Sequence, residues 1–370
     1  MSVKSKVILA VIGLTAMQPA FAATKAVKAP AAKRPAVKVQ KESAPLLTDA
    51  SAILATNTRG GLSHGIPGKD PYWFAISGAL QADAVGFFGK NSDKGTQFRN
   101  SSTIRRAGFG LSGGVGPDWS YTLVIDVAQS RAFNLSDAYG SYNGIKNAQI
   151  NVGQINPSFA LDNTFSSKWI PFMERSLASD AFSLLPGIGV QARYWGEHYS
   201  VDASITTPVK GAVANISPTA SGSDAKSDQP LYSARMTWAP INAEGRVAQI
   251  GVAGYYQRIR DYYIEFSTSP EIRARAASDV VNTTGTAGKS IQAKNKAVFT
   301  LDLAAQQGPL YGEAVYQQAN IHRTSATSLR FKGYHALAAY VLTGEHRSYD
   351  VKSGTFGAIK PHADGTLGAV

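Results

Sequence analysis

The sequence predicts an all-β protein whose antiparallel strands form a barrel across a membrane. Three observations lead to this prediction. The chain begins with a leader typical of exported proteins, it contains about twelve runs of two-faced strand pattern, and short turns alternate with long polar loops.

The first 22 residues have the three parts of a secretory signal peptide. Lys4 and Lys6 precede an apolar run at residues 7–17, and Ala20-Phe21-Ala22 forms a small-x-small cleavage site. The apolar run is too short to cross a bilayer as a helix, so an uncleaved anchor is the weaker alternative. We therefore expect a cleaved signal peptide and export from the cytoplasm.

Composition narrows the class of protein. The chain of 370 residues has no cysteine, which excludes a disulfide scaffold, a thiolate zinc site and cysteine catalysis. The net charge of +12 would suggest a nucleic-acid partner, but eight of the 37 Lys and Arg precede residue 46 and only one of the 25 acids does. We expect no nucleic acid to bind.

The basic excess is concentrated in the segment that follows the leader. Residues 23–45 are rich in Ala, Pro and Lys, a composition typical of an extended, solvated linker. Contact with an anionic periplasmic polymer is an alternative role for it. We expect residues 1–22 to be the signal peptide, 23–70 a linker and periplasmic lead-in, and 71–370 the barrel domain.

Strands are indicated by apolar and polar residues that alternate with period two. Such runs lie between turn clusters near 72–84, 103–114, 119–129, 136–143, 147–155, 187–195, 199–206, 230–239, 247–259, 295–306, 309–323 and 331–343. The pleat then predicts which side chains face lipid, namely Phe74, Ile76, Leu80, Leu123, Ile125 and Leu301. The same rule predicts which face the lumen, namely Ser77, Gln81, Asp83, Thr122, Asp126 and Asp302.

Loop lengths favour a barrel over a soluble sandwich, which would show the same alternation. The turns at 116–118 and 143–146 are short, whereas the polar stretches at 208–229 and 260–294 are long. Pro157–Pro186, after the fifth strand run, has short helical character and bulky apolar residues. We expect it to fold into the lumen, and an outer loop packed on itself is the alternative.

Enzyme-like signatures are present but lack their required context. Residues 108–113 fit G-x-G-x-x-G and residues 110–114 fit G-x-S-x-G, yet both motifs need a strand followed by a helix, and here another strand run follows. We expect these glycines to permit bending or close approach. The six histidines show no metal-binding spacing and are expected in loops or on the surface. We expect no enzyme activity, no metal and no cofactor.

Two adjacent arginines open the second strand run. By parity Arg105 shares a face with Phe109 and Leu111, so we expect it to point outward near the rim. Arg106 shares a face with Gly108 and should point into the lumen, where a cation stays hydrated and can act on permeating ions.

At these residues the chain resembles the phosphate-selective porins of the O and P family, over residues 72–369. The matching stretches occur in family order: Leu80-Gln81-Ala82-Asp83, Arg105-Arg106-Ala107, Asp137-Ala138-Tyr139, Ser166-Ser167-Lys168-Trp169 with Glu174-Arg175, residues 187–191, Leu342-Thr343-Gly344-Glu345 with Arg347, and Ile359-Lys360-Pro361. The resemblance implies a homotrimer of barrels with about sixteen strands each, in outer-membrane lipid.

The resemblance also implies where anions bind. By position, Arg105, Arg106 and Lys168 match the cations that line the family's constriction, and Asp137 matches a nearby acid. Two further cations of the family are absent, because Ala79 and Asn163 occupy their positions. We therefore expect a passive pore for small anions of the phosphate class, with phosphate selectivity weakened.

Two alternative interpretations of the sequence are a general, weakly selective or adhesive barrel and a soluble periplasmic β-domain. About twelve strand runs are present where the resemblance implies about sixteen, so we also expect the barrel to be incomplete at the C-terminus. A closed barrel of about twelve strands is the alternative to that expectation.

Overall fold

The computed structural model describes residues 9–15, 63–64, 70–87, 100–128, 134–209, 229–268, 281–283 and 291–359, most of them in one antiparallel sheet. Its strands are β1 (Leu9–Thr15), β2 (Ser63–His64), β3 (Tyr72–Phe87), β4 (Ser101–Val115), β5 (Trp119–Asp126), β6 (Asn134–Tyr142), β7 (Ala148–Ile155), β8 (Gly187–Trp195), β9 (Tyr199–Pro208), β10 (Leu231–Ala243), β11 (Arg246–Ile264), β14 (Ile291–Gln307), β15 (Leu310–His322) and β16 (Leu329–Tyr340). Outside it lie two strand pairs, β12 (Ser267–Thr268) with β13 (Val281–Asn282) and β17 (Arg347–Asp350) with β18 (Thr355–Ile359), and two short helices, α1 (Leu161–Thr164) and α2 (Leu177–Ala181). The all-β prediction is confirmed, and every predicted strand run coincides with one long strand from β3 to β16.

The sheet is a meander in which the long strands pair in chain order. The turns after β4, β6, β8, β10 and β14 are all short and lie at one end of the sheet, because antiparallel neighbours reverse direction at each turn. The longer connections lie at the other end. This is the turn and loop asymmetry that the sequence predicts for a membrane barrel.

The sheet is open among the strands that the structure describes. β3 pairs with β1 and β2 along the edge away from β4, and β16 pairs with β15 and not with β3. The pairing that a closed barrel of twelve strands would need is therefore absent from this part of the chain. The signal peptide at 1–22 and the incomplete C-terminus stay predictions. Of the predicted linker and lead-in at 23–70, only residues 63–64 and 70 are described, and residues 360–370 lie outside the described residues.

Burial follows the predicted alternation of faces. Phe74, Leu80 and Leu301 are 39%, 47% and 43% exposed, whereas Ser77 and Asp302 are 7% and 0% exposed. Asp83 and Thr122 are buried as well, and the remaining predicted positions, Ile76, Gln81, Leu123, Ile125 and Asp126, have intermediate exposure. Polar side chains thus line the covered face and apolar ones the uncovered face, the reverse of a soluble protein.

Aromatic side chains are exposed on the apolar face at the short-turn end. They are Tyr72, Trp119, Tyr194, Tyr199, Trp238 and Tyr340. All but Trp238 lie at or next to the end of their strands, and Trp238 pairs with Tyr199 at the start of β9. Trp119 packs against Tyr142 with ring centroids 5.0 Å apart. Such a row of amphipathic rings at a strand boundary is typical of the lipid headgroup level in outer-membrane barrels.

The segment between β7 and β8 lies on the polar face and bridges distant strands. Arg235 of β10 donates to the carbonyl of Phe159 at 2.6 Å, and Tyr255 of β11 donates to the carbonyl of Phe182 at 3.1 Å. At its other side Lys168 Nζ lies 3.4 Å from the carbonyl of Gly78 in β3. One loop can reach β3 and β11 together only if the sheet curls around it, so the predicted inward fold is confirmed.

A second insertion on the polar face was not predicted from the sequence. After β16 ends at the short-turn end, the hairpin of β17 and β18 packs inside the curled sheet. The guanidinium of Arg347 stacks on the ring of Tyr311 at 4.7 Å, and Phe356 is 1% exposed with its ring 4.9 Å from the same tyrosine. The Tyr349 hydroxyl donates to Gln249 at 2.7 Å. The inner space is therefore filled from both ends.

Candidate functional site

A cavity of about 390 Å³ lies between the inward loop, the hairpin and the wall of β3 to β8. Arg106, Lys168 and Asp137 all line it, so the structure brings three of the four predicted site residues together. Ala79 and Asn163 line the same cavity. The positions at which the resemblance implies further cations therefore converge here, but they carry neutral side chains.

The predicted outward orientation of Arg105 is wrong. A β-bulge interrupts the pairing of β3 with β4, because Gln81 pairs with Arg106 while Ala82 pairs with Ile104. Arg105 is the extra residue, and a bulge places the residues on either side of it out of strict alternation. Its side chain turns inward and is 2% exposed, and it is not among the residues that line the cavity.

A carboxylate on the inward loop holds both arginines. Glu174 Oε2 accepts from Arg105 Nη1 at 2.9 Å and from Arg106 Nη2 at 2.8 Å, and its Oε1 lies 3.9 Å from Arg175 Nη1. Asp83 forms a second ion pair with Arg105. The sequence places Glu174-Arg175 among the stretches that match the family but indicates no partner for Glu174, because Arg106 and Arg105 lie 68 and 69 positions away in the chain.

Arg106 points inward as predicted and remains accessible. Its side chain is 18% exposed, and Nη1 donates to Gln81 Oε1 at 2.8 Å. The guanidinium therefore combines a fixed position with contact to the cavity. A bidentate donor held in this way can still offer N–H groups to an anion, since a guanidinium carries five of them.

Lys168 differs from the arginines in its surroundings. It belongs to the inward loop, is half-buried, and forms no ion pair with a carboxylate in the part of the chain that the structure describes. Burial lowers the pKa of its ammonium group. Since the charge is not offset by a nearby acid, Lys168 presents the least compensated positive charge of the cavity wall.

Asp137 lies on the β6 side of the cavity wall. Its carboxylate accepts from the backbone N–H of Asn156 at 3.2 Å, which ties β6 to the start of the inward loop. Nearby, Asn151 and Gln191 form a polar chain across β7 and β8 with a hydrogen bond of 2.8 Å. The wall is thus polar and hydrogen-bonded.

The enzyme-like motifs lie in continuous strand. Residues 108–114 belong to β4, and β5 follows it with regular pairing, so neither motif has the helix that its chemistry needs. A Cβ added at Gly113 would overlap the ring of Tyr121, and one at Gly114 would overlap Trp73. These glycines permit the close approach that was expected.

The prediction for the histidines is wrong for His335. This residue lies on β16 with its side chain 14% exposed, and its Nε2 is 3.2 Å from Glu313 Oε1 and 3.8 Å from Asp162 Oδ2 of the inward loop. His335 therefore links the inward loop to the wall.

Among the described residues no cluster of three or more His, Asp or Glu could hold a metal. No helix in this part of the chain is long and apolar enough to cross a membrane.

A curled antiparallel sheet of long strands, apolar outside and polar around a cation-lined cavity, defines the class of outer-membrane porins. The family model for "Phosphate-selective porin O and P" matches residues 74–370, so the chain belongs to that family and is an outer-membrane protein.

Individual proteins are similar to this chain at lower levels of identity. Porin O of Pseudomonas aeruginosa is 26% identical over 351 residues, which cover 88% of this chain and 76% of the relative. An uncharacterized protein of Caulobacter vibrioides is 26% identical over 350 residues, covering 91% and 67%. A solved loop L8 deletion mutant of OmpT, an outer membrane protein of Vibrio cholerae, has a TM-score of 0.48 at 10% identity and covers 74% of this chain and 78% of its own.

Proposed function

We propose that this porin lets small anions of the phosphate class diffuse passively through its lumen. The observation that carries the proposal is that Arg106 of the wall and Lys168 of the inward loop line the same cavity. Cations at a constriction raise the local concentration of anions and replace part of their hydration with charge-assisted hydrogen bonds. No energy source or cofactor is needed for such passage.

Lys168 is the principal anion-contacting residue in this proposal, and Arg106 assists it. An anion that enters the cavity exchanges water for the ammonium of Lys168 and for the polar wall. Since the cationic charge is spread over two side chains on different elements, no single site binds tightly enough to prevent release. Asp137, on the same cavity wall, limits how long an anion stays.

The neutral residues Ala79 and Asn163 support a weaker preference for phosphate than the resemblance alone implies. Both line the cavity, so each missing cation would have acted on the permeating ion directly. The second candidate function is therefore a general or weakly selective diffusion pore. Neutral residues at both positions are what favours it; an adhesive or structural barrel has no such support.

The proposed assembly is a homotrimer in outer-membrane lipid. Crosslinking of the protein in native membranes tests it, since a ladder that ends at three chains is expected and a ladder that ends at one chain contradicts it.

Reversal potentials of single variants in a planar bilayer test the proposed function. We expect Lys168→Gln to lower the anion-to-cation permeability ratio at 0.1 M salt, and Lys168→Gln with Arg106→Gln to lower it further. The effect should shrink toward 1 M salt, because the screening length falls from about 10 Å to about 3 Å. Lys146→Gln is the matched control, since Lys146 lies in an exposed short turn away from the cavity. Unchanged potentials in both variants at low salt would remove these residues from the site.

A further inference from the structure

Glu174, which forms ion pairs with Arg105 and Arg106, carries a negative charge close to the cavity. Glu174 is buried, with its side chain 5% exposed, and it does not line the cavity, whereas Arg106 and Arg175 do. It lies behind the two cations. Its carboxylate contacts three guanidinium groups, two from β4 and one from its own loop.

The charges within these ion pairs nearly cancel. Arg105, Arg106 and Arg175 carry three positive charges, and Asp83 and Glu174 carry two negative ones. Asp83 forms an ion pair with Arg105, which is 2% exposed, so Glu174 is the carboxylate paired with the guanidinium that reaches the cavity. Its charge subtracts from the field of Arg106 at short range.

We propose that Glu174 is a specificity-determining residue of the pore, which limits its preference for anions by offsetting the charge of Arg106. This deepens the function proposed above and rests on it. With Glu174 ionised, Arg106 acts chiefly as a positioned hydrogen-bond donor, and Lys168 supplies most of the uncompensated charge. Replacing the carboxylate by an amide of the same shape would expose the full charge of Arg106 to permeating ions.

A purely structural role is the competing explanation, because Glu174 also links the inward loop to β4. The two roles predict opposite changes in selectivity. A loosened loop would widen the constriction and weaken its preference for anions, whereas removal of an offsetting negative charge strengthens it.

The test is the reversal potential of Glu174→Gln in a planar bilayer with a chloride salt gradient at 0.1 M. We expect the anion-to-cation permeability ratio to rise by about two- to fivefold, the effect of one unit charge acting across a water-filled lumen. The rise should shrink toward 1 M salt. A ratio that stays the same or falls would overturn the proposal.

A double variant keeps the proposal testable if the single one folds poorly. Arg106→Gln with Glu174→Gln removes one positive and one negative charge together. Its anion-to-cation permeability ratio should therefore be close to that of the natural protein. Arg106→Gln alone should lower the ratio further, because Glu174 then keeps its negative charge. Equal ratios in these two variants would contradict a role for the Glu174 charge.

The matched control is Asp162→Asn. Asp162 is a buried carboxylate of the same loop that bonds Ser179 Oγ at 2.6 Å, and it is not among the residues that line the cavity. It should not raise the ratio; a rise equal to that of Glu174→Gln would show that the effect does not depend on the ion pair with Arg106 and would contradict the proposal. Lys168→Gln separates the two proposals, since an inert Lys168 with an active Glu174 contradicts only the function proposed above.

Discussion

Placing a charge on the outer face of β14 should destabilise the protein in a way that depends on depth. Leu301 is 43% exposed on that face, and it lies six residues before Gln307, where the strand ends at a short turn. At about 3.4 Å per residue and a tilt of about 40°, this places Leu301 about 16 Å from the turn. That is close to the middle of a hydrocarbon core of about 30 Å.

The substitution Leu301→Arg should therefore cost about 2 to 4 kcal/mol of folding free energy in lipid. Leu310→Arg is the matched control, because Leu310 is 50% exposed on the same face but starts β15 directly at the turn. There the cost should be only about 0 to 1 kcal/mol. The difference between the two losses of folding free energy reports the depth of each position in the bilayer, since both variants replace leucine by arginine.

Urea titrations of folding into lipid vesicles, followed by tryptophan fluorescence, provide the assay. The midpoint of Leu301→Arg should fall well below that of Leu310→Arg, with unchanged slopes. Equal midpoints, or a larger loss at Leu310, would show that the outer face of β14 does not cross the bilayer. The assignment of apolar residues to lipid would then be refuted.

Two further predictions concern packing and pH. Gly113→Ala should lower the urea midpoint of unfolding, because the new Cβ would overlap the ring of Tyr121. Gly140→Ala should leave the midpoint nearly unchanged, since no atom lies within 4 Å of a Cβ at that position. Equal decreases in the two midpoints would refute the packing argument. Lys352, in the turn between β17 and β18, lies 4.9 Å above the ring of Trp195, and burial lowers the pKa of its ammonium to about 8. Its positive charge is lost as pH rises through 8, so tryptophan fluorescence should change with a midpoint near pH 8 in the natural protein and not in Lys352→Met.

The strands were predictable from the sequence because their signal is local. Alternation in 72–84 or 295–306 depends on neighbouring residues only, and the structure places β3 and β14 there. The family's position-specific residues likewise led to Arg106, Lys168 and Asp137, which line one cavity. Features that are encoded within a few consecutive residues, such as strands and short motifs, could therefore be predicted from the sequence.

The rest depends on contacts that are distant in the chain. The bulge that turns Arg105 inward is a property of how β3 pairs with β4, and alternation along β4 alone cannot reveal it. The partners of Glu174 are set by the path of the loop. The hairpin of β17 and β18 was missed because strands of four and five residues are too short to show a period.

We propose that positive charge in the lumen makes this pore prefer anions. The most direct test is the zero-current potential of the natural protein in a planar bilayer with 0.1 M and 0.01 M potassium chloride on its two sides. We predict a potential with the sign of chloride permeation, which decreases when both concentrations are raised tenfold because salt screens the lumen charges. A potential of zero, or one with the sign of potassium permeation at low salt, would contradict the account.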